Sequence, residues 1–157
     1  MKAAHTLVIG IGNEFRRDDA AGLLVVHALR AGPLRSRKDV ELQEHHGEAT
    51  ALIESWSGRE RVIVVDAAVQ PNATPGTVVQ FSERESSPPW DVELRTSSHA
   101  LSVVQAVQLA REMKRLPKEL RIYCIIGADF SRGTTPSDAV LGAIPIVALQ
   151  IAAAIDS

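Results

Sequence analysis

A chain of 157 residues that is 45% hydrophobic is long enough to bury a core without staples and too short for a multidomain enzyme, so residues 1–157 are expected to form one domain. Its 17 Lys plus Arg against 19 Asp plus Glu leave a formal charge of -2, with no long basic block to neutralise phosphates, which argues against a nucleic-acid partner. The lone Cys124 excludes an intrachain disulfide and a cysteine-based zinc framework and fits a reducing cytoplasm. The apolar N-terminal stretch is broken by glycines and charge, too short for a secretory core, and no segment is expected to span a membrane.

His5 to Gly10 reads as a first strand, followed by a turn through Gly12-Asn13. A helix is expected from about Asp19 to Arg30, with Leu23, Val26, Ala28 and Leu29 as its apolar stripe and Gly32-Pro33 as its end. Val40 to Glu44 alternates apolar with polar as a second strand, Ala49 to Trp56 makes a short helix, and Arg61 to Asp66 is a third strand whose continuous apolar run, Val62 to Val65, is typical of burial on both faces. Thr77 to Phe81 follows without an intervening helix, so it is expected to pair antiparallel at an edge. The polar stretch from Ser82 to Ser98 reads as a long surface loop carrying Trp90. A helix then runs from His99 to about Arg115 on the apolar positions Leu101, Val104, Val107 and Leu109, and Leu120 to Ile126 forms another buried strand. Thr135-Pro136 is expected to open a helix with proline at its first position, and Pro145 to break it and start another. Strands alternating with helices predict a three-layer α/β/α sandwich around a mostly parallel, mixed sheet of about five strands.

Three potential metal ligands fall where a strand hands over to the next element. Asp19 follows the first strand, Asp66 closes the third, and His99 opens a helix behind Ser97-Ser98. Ligand sites in open α/β sheets gather outside the carboxyl ends of the strands, so three separate segments point at one edge. Each carboxylate also has a plain structural role open to it, as a helix cap or a strand terminator, and Asp18 reads as a cap. A histidine at a helix N-terminus is favoured neutral, because its cation would oppose the dipole. Two carboxylates and a neutral imidazole suit a borderline divalent ion such as nickel or zinc.

Other chemistry is weaker. Gly10-Ile11-Gly12 resembles part of a dinucleotide fingerprint, but Phe15 stands where its third glycine belongs, and Asp18 and Asp19 would repel a pyrophosphate. Adjacent Ser98 and His99 diverge by about 100° on a helix and make a poor nucleophile-base pair. Cys124 sits in an apolar strand that would leave its thiol inert. His45 and His46, beside Glu44 and Glu48, read either as an accessory metal site of minor role or as a solvated loop.

Gly10-Ile11-Gly12-Asn13 with Asp18-Asp19 and Gly22, Val65-Asp66-Ala67, and Ser97-Ser98-His99 resemble three signatures of the nickel-iron hydrogenase maturation endopeptidases, over most of the chain. The resemblance implies an α/β/α fold and an enzyme that removes a C-terminal extension from the hydrogenase large-subunit precursor. In that family, nickel already inserted in the precursor is the recognition element, contacted by an acid-acid-histidine set corresponding to Asp19, Asp66 and His99. Aspartate stands at the first position where many members have glutamate. The loop after the second strand departs further, with His45-His46 following Glu44 where many members have glycines, and Glu44 is kept as a candidate recognition residue. Trp90, the one large apolar side chain of its loop, reads either as a docking anchor or as packed on the core. The leading expectation is a cytoplasmic, nickel-dependent endopeptidase acting on that precursor, with zinc or another divalent ion able to substitute and no membrane or nucleic-acid partner. A noncatalytic nickel-binding chaperone and a nucleotide-binding domain remain the alternatives.

Overall fold

The computed structural model describes residues 5–83 and 98–157, with the backbone alone at 98–102 and 104. Strands β1 (Thr6–Ile11), β2 (Val40–His45), β3 (Arg61–Ala68), β4 (Val78–Ser82) and β5 (Glu119–Ile126) form one sheet in the order β2-β1-β3-β5-β4. Its first four members pair in parallel, and β4 adds antiparallel to β5 at the edge. Helices α1 (Ala21–Ala31), α2 (Ala49–Trp56), α3 (Ser98–Glu112) and α4 (Asp138–Ile155) cover both faces, so the expected three-layer architecture with a mixed five-strand sheet is present.

Alternation along the buried strands divides the core into two layers. Val8, Ile63, Val65, Tyr123 and Ile125 point towards α1 and α4, whereas Leu7, Ile9, Val62, Val64, Ile122 and Cys124 point towards the α2 and α3 face with Trp56, Val103 and Ala106. The chain leaves β1 to β2 over one face and returns from β2 to β3 over the other. β1 and β3 are nevertheless direct neighbours. Their carboxyl ends therefore flank the switch point where an open sheet of this kind leaves a crevice.

Two glycines set how closely α1 approaches that point. A Cβ on Gly22 would run into the carbonyl oxygens of both Ile11 and Val65, and one on Gly10 would meet the carbonyl oxygen of Gly22. The helix thus rests backbone to backbone on the ends of β1 and β3.

Several expectations change at element ends. The segment preceding α1 is a 3₁₀ turn, Arg17–Ala20, so Asp19 lies before the helix proper. Asp66 does not close its strand, because β3 continues for two residues and pairs with β5 as far as Ala68. In α3 the buried stripe includes Val103, Ala106, Val107 and Ala110, while Leu109 is exposed; the spacing of three and four from Val103 selects that face.

The last helix departs most. It starts at Asp138 behind an N-cap Ser137, whose hydroxyl accepts from the Val140 amide at 3.5 Å, and runs unbroken through Pro145. Pro145 and the Leu141 residue one turn before it lie on the solvent face, where the carbonyl that loses its donor can turn to water. Helix α4 is also, at 18 residues and mean hydropathy 2.0, long and apolar enough to cross a membrane by length and composition, contrary to the expectation that no segment is. Val140, Ala143, Ile144, Val147, Ala148, Ile151 and Ile155 instead pack it into the core, and Arg61 Nη1 donates to the Ala154 and Ile155 carbonyls at its C-terminus at 3.1 and 3.0 Å.

Gly22→Ala is expected to destabilise the fold by about 2–3 kcal/mol, since the added methyl meets rigid backbone on two strands. Thermal unfolding is the check, and an unchanged melting temperature would contradict the close packing of α1.

Candidate functional site

The site is built outward from the end of β1. Gly12 donates its amide to the His45 carbonyl (3.1 Å), extending the β1–β2 pairing by one bond, and the chain turns so that the Asn13 amide reaches the carbonyl of Asp19 (3.2 Å). The Asn13 side-chain oxygen accepts from the Phe15 amide at 2.9 Å, a local turn typical of asparagine. The turn delivers Asp18 and Asp19 side by side, at 0% and 1% exposure. Two adjacent carboxylates this deeply buried require compensation, because an ionised group taken from water without partners is costly.

Asp18 finds that compensation in the opposite part of the chain. Its carboxylate accepts from the amides of Ala128 (2.7 Å), Asp129 (3.0 Å) and Ser137 (2.6 Å) and from the Ser137 hydroxyl (2.9 Å). No side-chain bond caps its own 3₁₀ turn. Asp18 is therefore not the cap of the helix that follows it, contrary to expectation, but the acceptor that ties down the β5–α4 connection.

Asp66 is 2% exposed and lies on β3 opposite Cys124 of β5. Its Oδ1 accepts from the Ala67 amide at 2.8 Å. Alternation turns it to the α2 and α3 side of the sheet, the side that Cys124 shares. Because α3 leads into β5, which begins at the amino edge of the sheet, the first turn of α3 lies at the carboxyl edge. His99 is the second residue of that helix, and its side chain is outside the described residues. The turn carrying Asp19 packs on β3, so the structure places Asp19, Asp66 and the His99 backbone on one rim of the sheet, with the two carboxylates flanking the switch point.

The donor set suits a divalent cation: two buried carboxylates supply hard, anionic oxygens, and a nearby imidazole would add a borderline nitrogen. Among the described residues no three His, Cys, Asp or Glu side chains gather as a metal site. His45 and His46 have other partners. His45 Nε2 lies 2.9 Å from Gln43 Oε1 and 3.1 Å from Ser55 Oγ, and His46 Nδ1 is 3.3 Å from the Gly12 carbonyl. Burial, helped by the charge of His46, holds the His45 pKa below the usual imidazole value. Glu48 caps α2 by accepting from the Thr50 and Ala51 amides.

Glu44, the candidate recognition residue, is held by α1: His27 Nε2 lies 2.8 Å from Oε1, and Arg30 donates to Oε2 at 3.4 Å. Burial raises its pKa, but the His27 hydrogen bond and the charges of His27 and Arg30 outweigh it and leave the group below the ordinary carboxylate value. Trp90, the other candidate, lies outside the described residues. The glycines that suggested a nucleotide have a packing reason, since the Cβ position of Gly12 is filled by the Asp19 carbonyl oxygen, just as Gly10 is needed against Gly22.

The family model described as hydrogenase maturation protease (HycI) matches residues 25–154. The chain belongs to the hydrogenase maturation protease family. The match includes the segments carrying Asp66 and His99, and Asp19 precedes it. The chain is 27% identical over 120 residues to the hydrogenase 2 maturation protease of Escherichia coli K12, covering 76% of this chain and 71% of that protein. Among solved structures it is similar to the hydrogenase maturating endopeptidase HybD of E. coli, with TM-score 0.80 and 23% identity over 97% of this chain and 92% of that one. It is also similar to the [NiFe] hydrogenase maturation protease HybD of Thermococcus kodakarensis, with TM-score 0.71 and 27% identity over 98% and 99%.

Membership of a protease family raises the question of a nucleophile, and Cys124 is unsuited to the role. Complete burial pushes its thiol pKa far up, and the negative charge of Asp66 adds to the shift; both disfavour the thiolate that would attack. Because the raised pKa keeps the group protonated through neutral and mildly alkaline pH, native protein at pH 8 is expected to resist thiol-specific alkylation and to label fully once unfolded. Mass spectrometry of the two states checks this, and rapid native labelling would show an accessible thiolate.

Proposed function

We propose that this family member is an endopeptidase that removes the C-terminal extension of a nickel-iron hydrogenase large-subunit precursor after nickel insertion. The observation that carries the reading is the pair of buried carboxylates, Asp19 and Asp66, on either side of the sheet's switch point; His99, the second residue of α3, is assigned to the same site. The nickel belongs to the substrate and is its recognition element, engaged by Asp19, Asp66 and His99; zinc or another divalent ion can substitute. Bound there, it supplies Lewis acidity to a neighbouring carbonyl or water.

The chain's own residues orient the precursor and handle the proton. Water attacks the scissile carbonyl, its proton passes to the carboxylate facing that bond, and the proton then goes to the amine as the C–N bond breaks. A buried carboxylate suits this work because the low local dielectric strengthens its interaction with a nearby cation. The reaction is assigned to the cytoplasm, in keeping with a single, reduced cysteine. Glu44 and Trp90 are assigned to contacts with the folded precursor, with Trp90 as an apolar anchor.

Incubating the protein with nickel-loaded and nickel-free precursor and weighing both products is the test. Loss of a C-terminal peptide from the nickel-loaded form alone is expected. An intact, correctly assembled precursor that still binds would favour the noncatalytic nickel-binding chaperone. Asp19→Ala, Asp66→Ala and His99→Ala should each slow processing on the order of a hundredfold or more, with the isosteric Asp19→Asn and Asp66→Asn controlling for folding. Normal processing by all of them would overturn the site assignment. Trp90→Ala should raise the Kd for precursor about tenfold or more, as expected of an interface anchor; unchanged affinity would remove it from the docking surface.

A further inference from the structure

Beside the carboxylate rim lies an open cleft of about 450 Å³, lined by Asn13, Phe15, Arg16, Arg132, Gly133 and Thr134. It is formed where the turn after β1 meets the segment between β5 and α4, and those two stretches are laced together. Gly133 donates to the Phe15 carbonyl (2.9 Å), Arg17 donates to the Gly133 carbonyl (3.1 Å), and Asp18 donates to the Asp129 carbonyl (3.0 Å). Arg16 and Gly133 make a parallel bridge. The Arg17 side chain lies across Gly133, where a Cβ would collide with its guanidinium, and reaches the Thr135 carbonyl at 3.3 Å and Asp129 at 3.7 Å. Arg17 itself is held at φ 46, a left-handed conformation that a residue with a Cβ keeps only when its surroundings impose it.

This framework presents three side chains to solvent. Phe15 is 62% exposed, and Arg16 and Arg132, which line the same cleft, are exposed as well. Arg17, Arg30, Arg37, Arg59 and Arg61 all pair with carboxylates. Among the described residues Arg16 and Arg132 have no ion-pair partner. An aromatic ring and two guanidinium groups without ion-pair partners, lining one cleft on a fixed backbone, are complementary to a peptide that carries a carboxylate next to an apolar side chain. Arginine recognises carboxylates through paired donors, and the ring gives the apolar neighbour a surface.

We propose that this cleft is the subsite for an acidic segment of the precursor's C-terminal extension, with Arg16 and Arg132 holding its carboxylates and Phe15 its apolar side chain. The inference rests on the endopeptidase reading and deepens it. The turn that lines the cleft is the turn that carries Asp19, so a strand leaving the scissile bond at the carboxylate rim has a direct path into it. The cleft admits a few side chains, which fits a narrow, free-ended extension better than the folded body of a large subunit.

Two measurements test it separately. The first is binding, by fluorescence anisotropy, of a labelled synthetic peptide with the sequence of the extension, beside the same peptide with Asp and Glu replaced by Asn and Gln and its C-terminus amidated. The acidic peptide should bind more tightly, and the double charge reversal R16E/R132E should weaken it about tenfold while leaving the neutral peptide unaffected. The second is processing of nickel-loaded precursor, in which R16E/R132E and Phe15→Ala should raise KM with little loss of kcat, and Arg132→Lys should retain part of the affinity. Equal binding of both peptides, or wild-type KM in the reversed variant, would overturn the subsite. A wild-type protein that binds the acidic peptide through these arginines yet cuts no precursor would overturn the endopeptidase reading and leave the subsite standing.

Discussion

The candidate site depends on the carboxylate of Asp18. Buried completely, it gathers three backbone amides and one hydroxyl from residues 128, 129 and 137, so the first turn of the chain and the last connection of the sheet are fixed against one another. Hydrogen bonds to a charged acceptor are worth about 1.5–3 kcal/mol each. Their value here lies as much in direction, because they prevent the 3₁₀ turn from rotating. Asp19 is the next residue, and a turn that cannot rotate holds its side chain at the sheet's switch point. The same lacing builds the floor of the arginine cleft, so one buried charge positions both regions.

Buried acids of this kind can serve structure or chemistry, and Asp18 and Asp19 divide those roles. Asp18 is saturated by the protein's own donors. Asp19 and Asp66 lie towards the carboxyl edge of the neighbouring strands β1 and β3, almost wholly buried. Burial in a medium of low dielectric strengthens the attraction of a carboxylate for a cation. Under the proposed function this attraction distinguishes a metal-loaded from a metal-free precursor without any change of shape, since it is available only when the ion arrives.

Much of this was legible in the sequence because the signals were local. The apolar run Val62 to Val65, the alternation of Val40 to Glu44 and the short amphipathic stretch from Ala49 to Trp56 gave their elements within a residue or two, and the order of strands and helices gave the layers. The errors came where distant chain decides. Proline at 145 reads as a break when a helix is considered in isolation; on the solvent face of α4, packed through Val147, Ala148 and Ile151, it is tolerated. Thr135-Pro136 looked like a helix start, but Asp18 binds Ser137 and makes that residue the cap. The arginine cleft leaves no local signal for the same reason: Arg16 and Arg132 meet only through the contact of two loops far apart in sequence, and in the sequence Phe15 reads as the residue that spoils a glycine fingerprint.

The departures from the family resemblance acquire a physical meaning in this setting. Aspartate at position 19, where many members have glutamate, draws the carboxylate back by one methylene towards a turn that Asp18 holds rigid. The backbone cannot advance to make up the reach, since the Asp19 carbonyl already fills the space beside Gly12. Under the proposed function, compensation would come from the substrate, through an ion presented deeper in the rim. On β2, Glu44 is held by His27 and Arg30 of α1, and His46 contacts the Gly12 carbonyl, so a loop that is glycine-rich in many members is here tied by side chains to β1 and α1. A tied loop yields less to an incoming partner than a glycine-rich one, which costs a precursor less ordering entropy on docking but demands a closer fit. Under the proposed function, both departures would favour a narrower range of precursors.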